Sequence, residues 1–128
     1  MAKILICEDI ESSARRLVLE ADKDDYETVV LARNFDSDYI INNISRVVLE
    51  ENPDYMIIDG LNGKFVEAIQ LAKDVKTDLV AILYTGSRTF VESFRQMGLP
   101  AYHKKSSQEL DNMFMYIVDC ERAKRGKK

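Results

Sequence analysis

Short unbroken apolar runs alternate along this chain with stretches whose apolar residues recur at helical spacing. Ile4-Leu5-Ile6-Cys7 is such a run and ends in Glu8-Asp9. An unbroken run of this length predicts a strand covered on both faces. Ile10, Ala14, Leu17, Val18 and Ala21 then share one face of a predicted helix. Thr28 to Ala32 reads as the second strand, and Asn34, Asp36 and Ser37 offer a turn and a helix cap. The next helical stripe is Ile40, Ile41, Ile44, Val47 and Val48, broken by Pro53.

Tyr55-Met56-Ile57-Ile58 predicts a third strand ending at Asp59, and Gly60, Asn62 and Gly63 mark a loop. Phe65, Ala68, Ile69 and Ala72 give a third helix, and Leu79 to Tyr84 a fourth strand ending at Thr85-Gly86. A short helix over 90–97 is closed by Gly98. A brief fifth strand surrounds Tyr102 and ends near Lys105. Ser106-Ser107-Gln108-Glu109 forms a capping box for a last helix, whose buried face is Leu110, Met113, Phe114, Ile117 and Val118.

Buried strands alternating with helices predict an α/β domain with a parallel sheet covered on both sides, and right-handed crossovers leave only a few doubly wound topologies. The 128 residues are the length of a single domain spanning 1–128. Apolar residues at 46% place the chain among globular proteins, not disordered ones. A net charge of −4 argues against nucleic acid as a direct partner. The basic cluster over 122–128 (Arg122, Lys124, Arg125, Lys127, Lys128) reads as a solvated helix end that complements the helix dipole. Cys7 and Cys120 form no disulfide framework, the chain opens into Lys-Ile-Leu-Ile without a signal-peptide core, and no run reaches transmembrane length. A cytoplasmic location without membrane attachment is therefore expected.

Open α/β sheets bind their ligands beyond the carboxyl ends of the strands. That edge would gather Glu8 and Asp9 from the first strand, Asp59 from the third, Thr85 from the fourth and Lys104-Lys105 after the fifth. Clustered carboxylates repel one another and call for a cation. Magnesium suits an all-oxygen set, whereas one histidine and two distant cysteines do not make a zinc or copper site. A carboxylate beside magnesium can act as a nucleophile toward phosphorus, with a hydroxyl and an ammonium meeting the phosphoryl oxygens.

In Ile4 to Asp9, Pro53 to Asp59, Ala81 to Gly86 and Gly98 to Lys105, taken in order, the chain resembles the receiver domains of response regulators, the CheY-like fold. The resemblance covers essentially the whole chain. It implies a three-layer, flavodoxin-like architecture of five parallel strands in the order 2-1-3-4-5 with five helices. It further implies Asp59 as phosphoacceptor, and Mg2+ held by Glu8, Asp9, Asp59 and the backbone carbonyl of Leu61. Thr85 and Lys105 would contact the phosphoryl group, with Tyr102 as the aromatic switch. Lys105 is preferred to Lys104 because it lies three residues after Tyr102, as the family pattern requires.

A sensor histidine kinase or phosphotransfer protein would supply the phosphoryl group. The domain would assist its own phosphorylation without being an enzyme in its own right. The signal would leave by protein contact across the face of the fourth helix, fifth strand and fifth helix, with Phe90, Phe94, Tyr102 and Tyr116 as candidate contacts, to a downstream target or within a homodimer. Two departures stand out. Ser106 replaces the proline that follows the lysine, and the loop after Asp59 is about four residues short of the family pattern. The short loop keeps a second reading open, a degenerate receiver that works as an interaction module without phosphorylation. A flavodoxin is disfavoured by the acidic pair after the first strand, and an aspartate-nucleophile phosphatase by Leu61 where a second Asp is needed.

Overall fold

A computed structural model describes residues 2–126. Five strands alternate with five α-helices: β1 (Lys3–Glu8), α1 (Glu11–Lys23), β2 (Glu27–Ala32), α2 (Ser37–Glu51), β3 (Tyr55–Ile58), α3 (Phe65–Val75), β4 (Val80–Thr85), α4 (Arg88–Gln96), β5 (Ala101–His103) and α5 (Ser107–Arg125). A 3-10 turn, Leu61–Gly63, lies between β3 and α3. The sheet is parallel throughout, in the order β2-β1-β3-β4-β5, as the apolar pattern and the resemblance implied.

Strand side chains alternate between the two faces and so feed two cores. Leu5, Cys7, Met56, Ile58, Leu83 and Ala101 meet α2, α3 and α4 on one side. Ile4, Ile6, Tyr55, Ile57, Ile82 and Tyr84 meet α1 and α5 on the other. This two-sided burial is why β1, β3 and β4 read as unbroken apolar runs. The caps follow the sequence closely. Ser106 Oγ accepts the Glu109 N–H at 3.3 Å, and Ser87 Oγ accepts the Phe90 N–H at 3.2 Å. Asp36 caps α2 through the Tyr39 N–H at 3.0 Å, and Gly98 follows α4 at φ +79°.

Two expectations about burial are corrected. Ile10 is not on the buried stripe of α1; it is the residue before the helix and is exposed. Phe94 is not on the outer face of α4 but buried against Phe65, with ring centroids 5.9 Å apart. Of the basic cluster, Arg122, Lys124 and Arg125 form the last turn of α5, while Lys127 and Lys128 lie outside the described residues. Among the described residues no helix is long and apolar enough to cross a membrane.

Helix α2 gives a direct test of the two-layer core. Ile44 is fully buried and Leu49, five residues on, is mostly exposed. Ile44→Ala is expected to cost about 2–5 kcal/mol in urea unfolding. Leu49→Ala is expected to stay within about 0.5 kcal/mol of the parent. Equal losses would mean that α2 packs by a different face.

Candidate functional site

Four strands end at one edge and set the site. Glu8 closes β1 and is only 1% exposed. Its Oε1 accepts the Ile10 N–H at 3.2 Å, which turns the chain out of the strand toward α1. Asp59 follows β3, and its own N–H still reaches the Cys7 carbonyl at 3.0 Å, so it is fixed beside β1. Carboxylate oxygens of Glu8, Asp9 and Asp59 lie within 4.8 Å of one another. Thr85 closes β4, is 4% exposed, and accepts the Ser87 N–H on its hydroxyl at 3.2 Å.

The lysine at this site is Lys104, and Lys105 is not part of it. The Lys104 N–H donates to the Thr85 carbonyl at 2.9 Å, extending the β4–β5 ladder by one residue. Its ammonium stands 2.7 Å from Asp59 Oδ1 and bonds Glu8 Oε2 as well. The Tyr84 ring lies beneath it, 5.9 Å from the nitrogen. Lys105 is exposed, and its N–H turns to the His103 ring at 3.4 Å. A three-residue strand has no apolar run to mark its end, so spacing from Tyr102 alone missed the register by one. Tyr102 itself packs toward α5, 6.5 Å from the Tyr116 ring and under the Arg95 guanidinium at 5.8 Å.

The short loop after Asp59 is closed by unusual backbone. Leu61 and Asn62 both adopt left-handed conformations, at φ +49° and +55°, followed by Gly63 at +90°. A bulky residue rarely takes this region, and it persists only where the surroundings enforce it. Three contacts do so. Asp59 Oδ2 accepts the Leu61 N–H at 3.2 Å, the Leu61 carbonyl accepts the Lys64 N–H at 3.0 Å, and the Leu61 side chain is fully buried. All peptide bonds among the described residues are trans, including those of the turn after Lys104.

Phe90 and Gly60 were not singled out from the sequence as parts of the site. Phe90 of α4 leans over this turn and stacks on Phe65 at 5.0 Å. A Cβ on Gly60 would sit 2.8 Å from Thr85 Oγ1 and 3.2 Å from the Phe90 ring, so only glycine fits between them. The one available signal was a glycine beside the acidic residue, which a turn explains equally well.

Burial and charge set the electrostatics. Burial pushes the Glu8 carboxyl up to about 7; the Lys104 ammonium opposes this and the Asp59 charge adds to it. Asp9 is also raised, by burial first and then by Asp59. For Lys104, burial acts to lower the pKa, but the joint attraction of Glu8 and Asp59 outweighs it and the net direction is up. The two directions agree physically, because the ammonium faces two carboxylates while each carboxylate has only a share of one ammonium.

Solved structures share this arrangement of strands. The response regulator protein TrrA from Thermotoga maritima, in complex with Mg2+ and BeF, aligns over 93% of this chain and 98% of its own, at TM-score 0.68 and 20% identity. NtrX from Brucella abortus, in complex with ADP, aligns over 98% of this chain at TM-score 0.69 and 18% identity, and the chain spans 28% of its length. The chain has the receiver-domain fold of response regulators. A chain in which a yeast Spc42 trimeric coiled-coil segment is fused to another protein is similar to the same degree, at TM-score 0.69 and 18% identity over 96% of this chain and 82% of that one. No protein-family model matches the chain, and no curated protein matches it in sequence. At these identities the likeness to receivers lies in the fold, and the chemistry rests on the side chains described above.

Two outcomes test this geometry. Gly60→Ala is expected to destabilise the protein by about 1–3 kcal/mol through overpacking, read by chemical unfolding; an unchanged midpoint would contradict the close approach of Thr85 and Phe90. The second concerns pH. The folded protein holds the Glu8 proton up to about 7, well above the ordinary carboxylate value of 4.5, so it binds more protons than the unfolded chain between those values. The contribution of Glu8 is therefore full below the unfolded value and is lost as pH rises through 7. Parent and Glu8→Gln unfolding curves at several pH values should differ in slope across that window.

Proposed function

We propose that this chain is a phosphoacceptor receiver in a two-component phosphorelay, with Asp59 as the acceptor. The observation that carries the proposal is the close set of Glu8, Asp9 and Asp59 carboxylates with the Lys104 ammonium among them and the Thr85 hydroxyl beside the turn. The donor is phosphohistidine on a sensor histidine kinase or phosphotransfer protein. An Asp59 oxygen forms a bond to phosphorus as the phosphorus–nitrogen bond of the donor breaks, and the departing imidazole takes its proton from solvent.

The residues present suit magnesium: the donors are hard oxygens, close together and carrying more negative charge than one ammonium offsets. Glu8, Asp9 and Asp59 would hold the ion, and the Leu61 carbonyl, which already accepts the Lys64 N–H, offers its second lone pair. When bound, magnesium neutralises charge on the phosphoryl oxygens and so lowers the cost of bringing a second anion to Asp59. Lys104, and not Lys105, meets one phosphoryl oxygen, and Thr85 donates to another. Thr85 Oγ1 accepts the Ser87 N–H and keeps its own proton free to donate, and Ser87 is the residue that caps α4. Movement at the acceptor is thereby passed to the start of α4.

The output face of this reading is formed by α4, β5 and α5. It carries the Tyr102–Tyr116 pair and a cleft of about 310 Å³ lined by Arg88, Glu92, Arg95, His103 and Glu109. A downstream protein, or a second copy of the chain in a homodimer, would bind there. We assign the domain a signalling role in the cytoplasm, with activity confined to its own phosphorylation and dephosphorylation.

Intact mass after incubation with acetyl phosphate and magnesium tests the central step. One added phosphoryl group is expected, absent in Asp59→Asn and without metal. No gain in any sample of folded protein would abandon the phosphoacceptor reading for an interaction module built on the same fold.

A further inference from the structure

The two edges of the sheet are built differently. β5 is short and guarded: Pro100, which has no N–H, precedes it, and the Ala101 carbonyl already accepts Arg95 Nε at 2.9 Å. β2, at the other edge, is six residues long. The Glu27 N–H reaches the carbonyl of Ala2, just before β1, at 3.1 Å. Backbone groups alternate sides along a strand. Glu27, Val29 and Leu31 therefore serve the ladder with β1, and Thr28, Val30 and Ala32 point away from it. Among the described residues nothing bonds those outward groups. Between Glu27 and Arg33 the strand carries no charge and no proline, the usual devices that keep an edge from pairing. Val30, at its centre, is 46% exposed. We infer that the β2 edge takes a second copy of this chain, paired antiparallel about a twofold axis at Val30, so that the two sheets join as one.

Register and partner both follow from the strand's own residues. A closed dimer needs a twofold axis, and a twofold that continues a sheet sets its edge strands antiparallel. An axis at Val30 opposes outward residues only to outward residues: Val30 to Val30, and Thr28 to Ala32 of the second copy. Each such pair exchanges two backbone bonds, about six in all. The same axis sets Glu27 opposite Arg33 of the second copy, because the two stand equally far on either side of Val30. Their charges are opposite, and both side chains are largely open, Glu27 at 59% and Arg33 at 64% exposure. Both also lie on the α2 face of the sheet, as pairing requires. Glu27 is 3.7 Å from Lys3, which reaches Glu51 of α2, and Arg33 lies over the Tyr39 ring of α2 at 5.1 Å. On the opposite face the two Val30 side chains cover one another. This self-complementarity is what commits the edge to a second copy and not to another protein's strand. The inference goes beyond the phosphoacceptor reading and does not depend on it. Antiparallel pairing points the two carboxylate clusters in opposite directions, and it leaves α4, β5 and α5 of each copy open to a downstream protein.

Sedimentation equilibrium of the full chain over a range of concentrations, with backbone amide exchange followed by NMR, tests the pairing. A dimer is expected, with the Thr28, Val30 and Ala32 amides protected in it. Val30→Lys should weaken dimerisation by at least about tenfold, since it sets two like charges side by side on the axis, and should leave those amides to exchange freely. Circular dichroism should show that this surface variant is folded. Glu27→Arg or Arg33→Glu alone should weaken the dimer about three- to tenfold, and the double variant should return to within about twofold of the parent. A monomer at every concentration up to the millimolar range would overturn the inference. So would a dimer that Val30→Lys leaves intact, or one whose Val30 amide exchanges as freely as an exposed loop. Either result would mean that another face holds the copies together. Single reversals without effect, or a double variant no better than the singles, would overturn the register at Val30. Phosphorylation of Asp59 is read separately by mass, so the fate of one reading does not decide the other.

Discussion

Carboxylates at the end of a buried sheet face water on one side and a low-dielectric interior on the other. Glu8 is almost wholly buried, and Asp9 and Asp59 each bring a carboxylate oxygen to within 4.8 Å of one of its own. An isolated charge in that position would be driven to neutrality, and a cluster of them more so. One ammonium, that of Lys104, reaches into the cluster and offsets part of the repulsion. Burial first, and after it the charge of Asp59, displaces the Glu8 and Asp9 carboxyls upward. A site in this condition is short of positive charge. Under the phosphoacceptor reading, a hard cation is what would relieve that shortage.

The fold supplies the edge at which this tension is held. Parallel strands all end in the same direction, so β1, β3, β4 and β5 bring their last side chains to one line without any long-range instruction beyond strand order. The ladder hydrogen bonds run on past the strands: Asp59 N–H to the Cys7 carbonyl, Lys104 N–H to the Thr85 carbonyl. These two bonds fix where Asp59 and Lys104 stand. A shift of one residue in either strand would send the next side chain to the other face.

Most of the fold was legible in the sequence because two-sided burial writes itself as unbroken apolar runs. Tyr55–Ile58 could be placed to the residue and Ile4–Cys7 to within one residue at each end, and the acidic groups at their ends came with them. Local polar chemistry was equally readable: Ser106 caps α5 and Gly98 ends α4, as their positions required. What failed was what no local pattern encodes. β5 has three residues, of which only Ala101 is fully buried, so neither periodicity nor run length could fix its end. The choice between Lys104 and Lys105 therefore fell to spacing and came out one residue late. Ile10 and Phe94 were misplaced for a related reason, since each lies near a helix end where the face turns away from the expected stripe.

The shortened loop illustrates how far a deletion can be absorbed. With few residues to turn from β3 into α3, the chain uses consecutive left-handed conformations at Leu61 and Asn62. Burial of the Leu61 side chain and the Asp59 carboxylate on its N–H hold them in place. The turn that results is low enough for Phe90 to descend onto it and stack on Phe65, which in turn meets Phe94. The vacancy left at Gly60 is filled by Thr85 and Phe90 together. Any displacement of the Thr85 hydroxyl must therefore be felt by a ring carried on α4, and by the Ser87 cap that begins that helix. The short loop sets the Phe90 ring against Gly60, the residue after Asp59, so the departure from the family pattern also gives the site a direct mechanical link to α4.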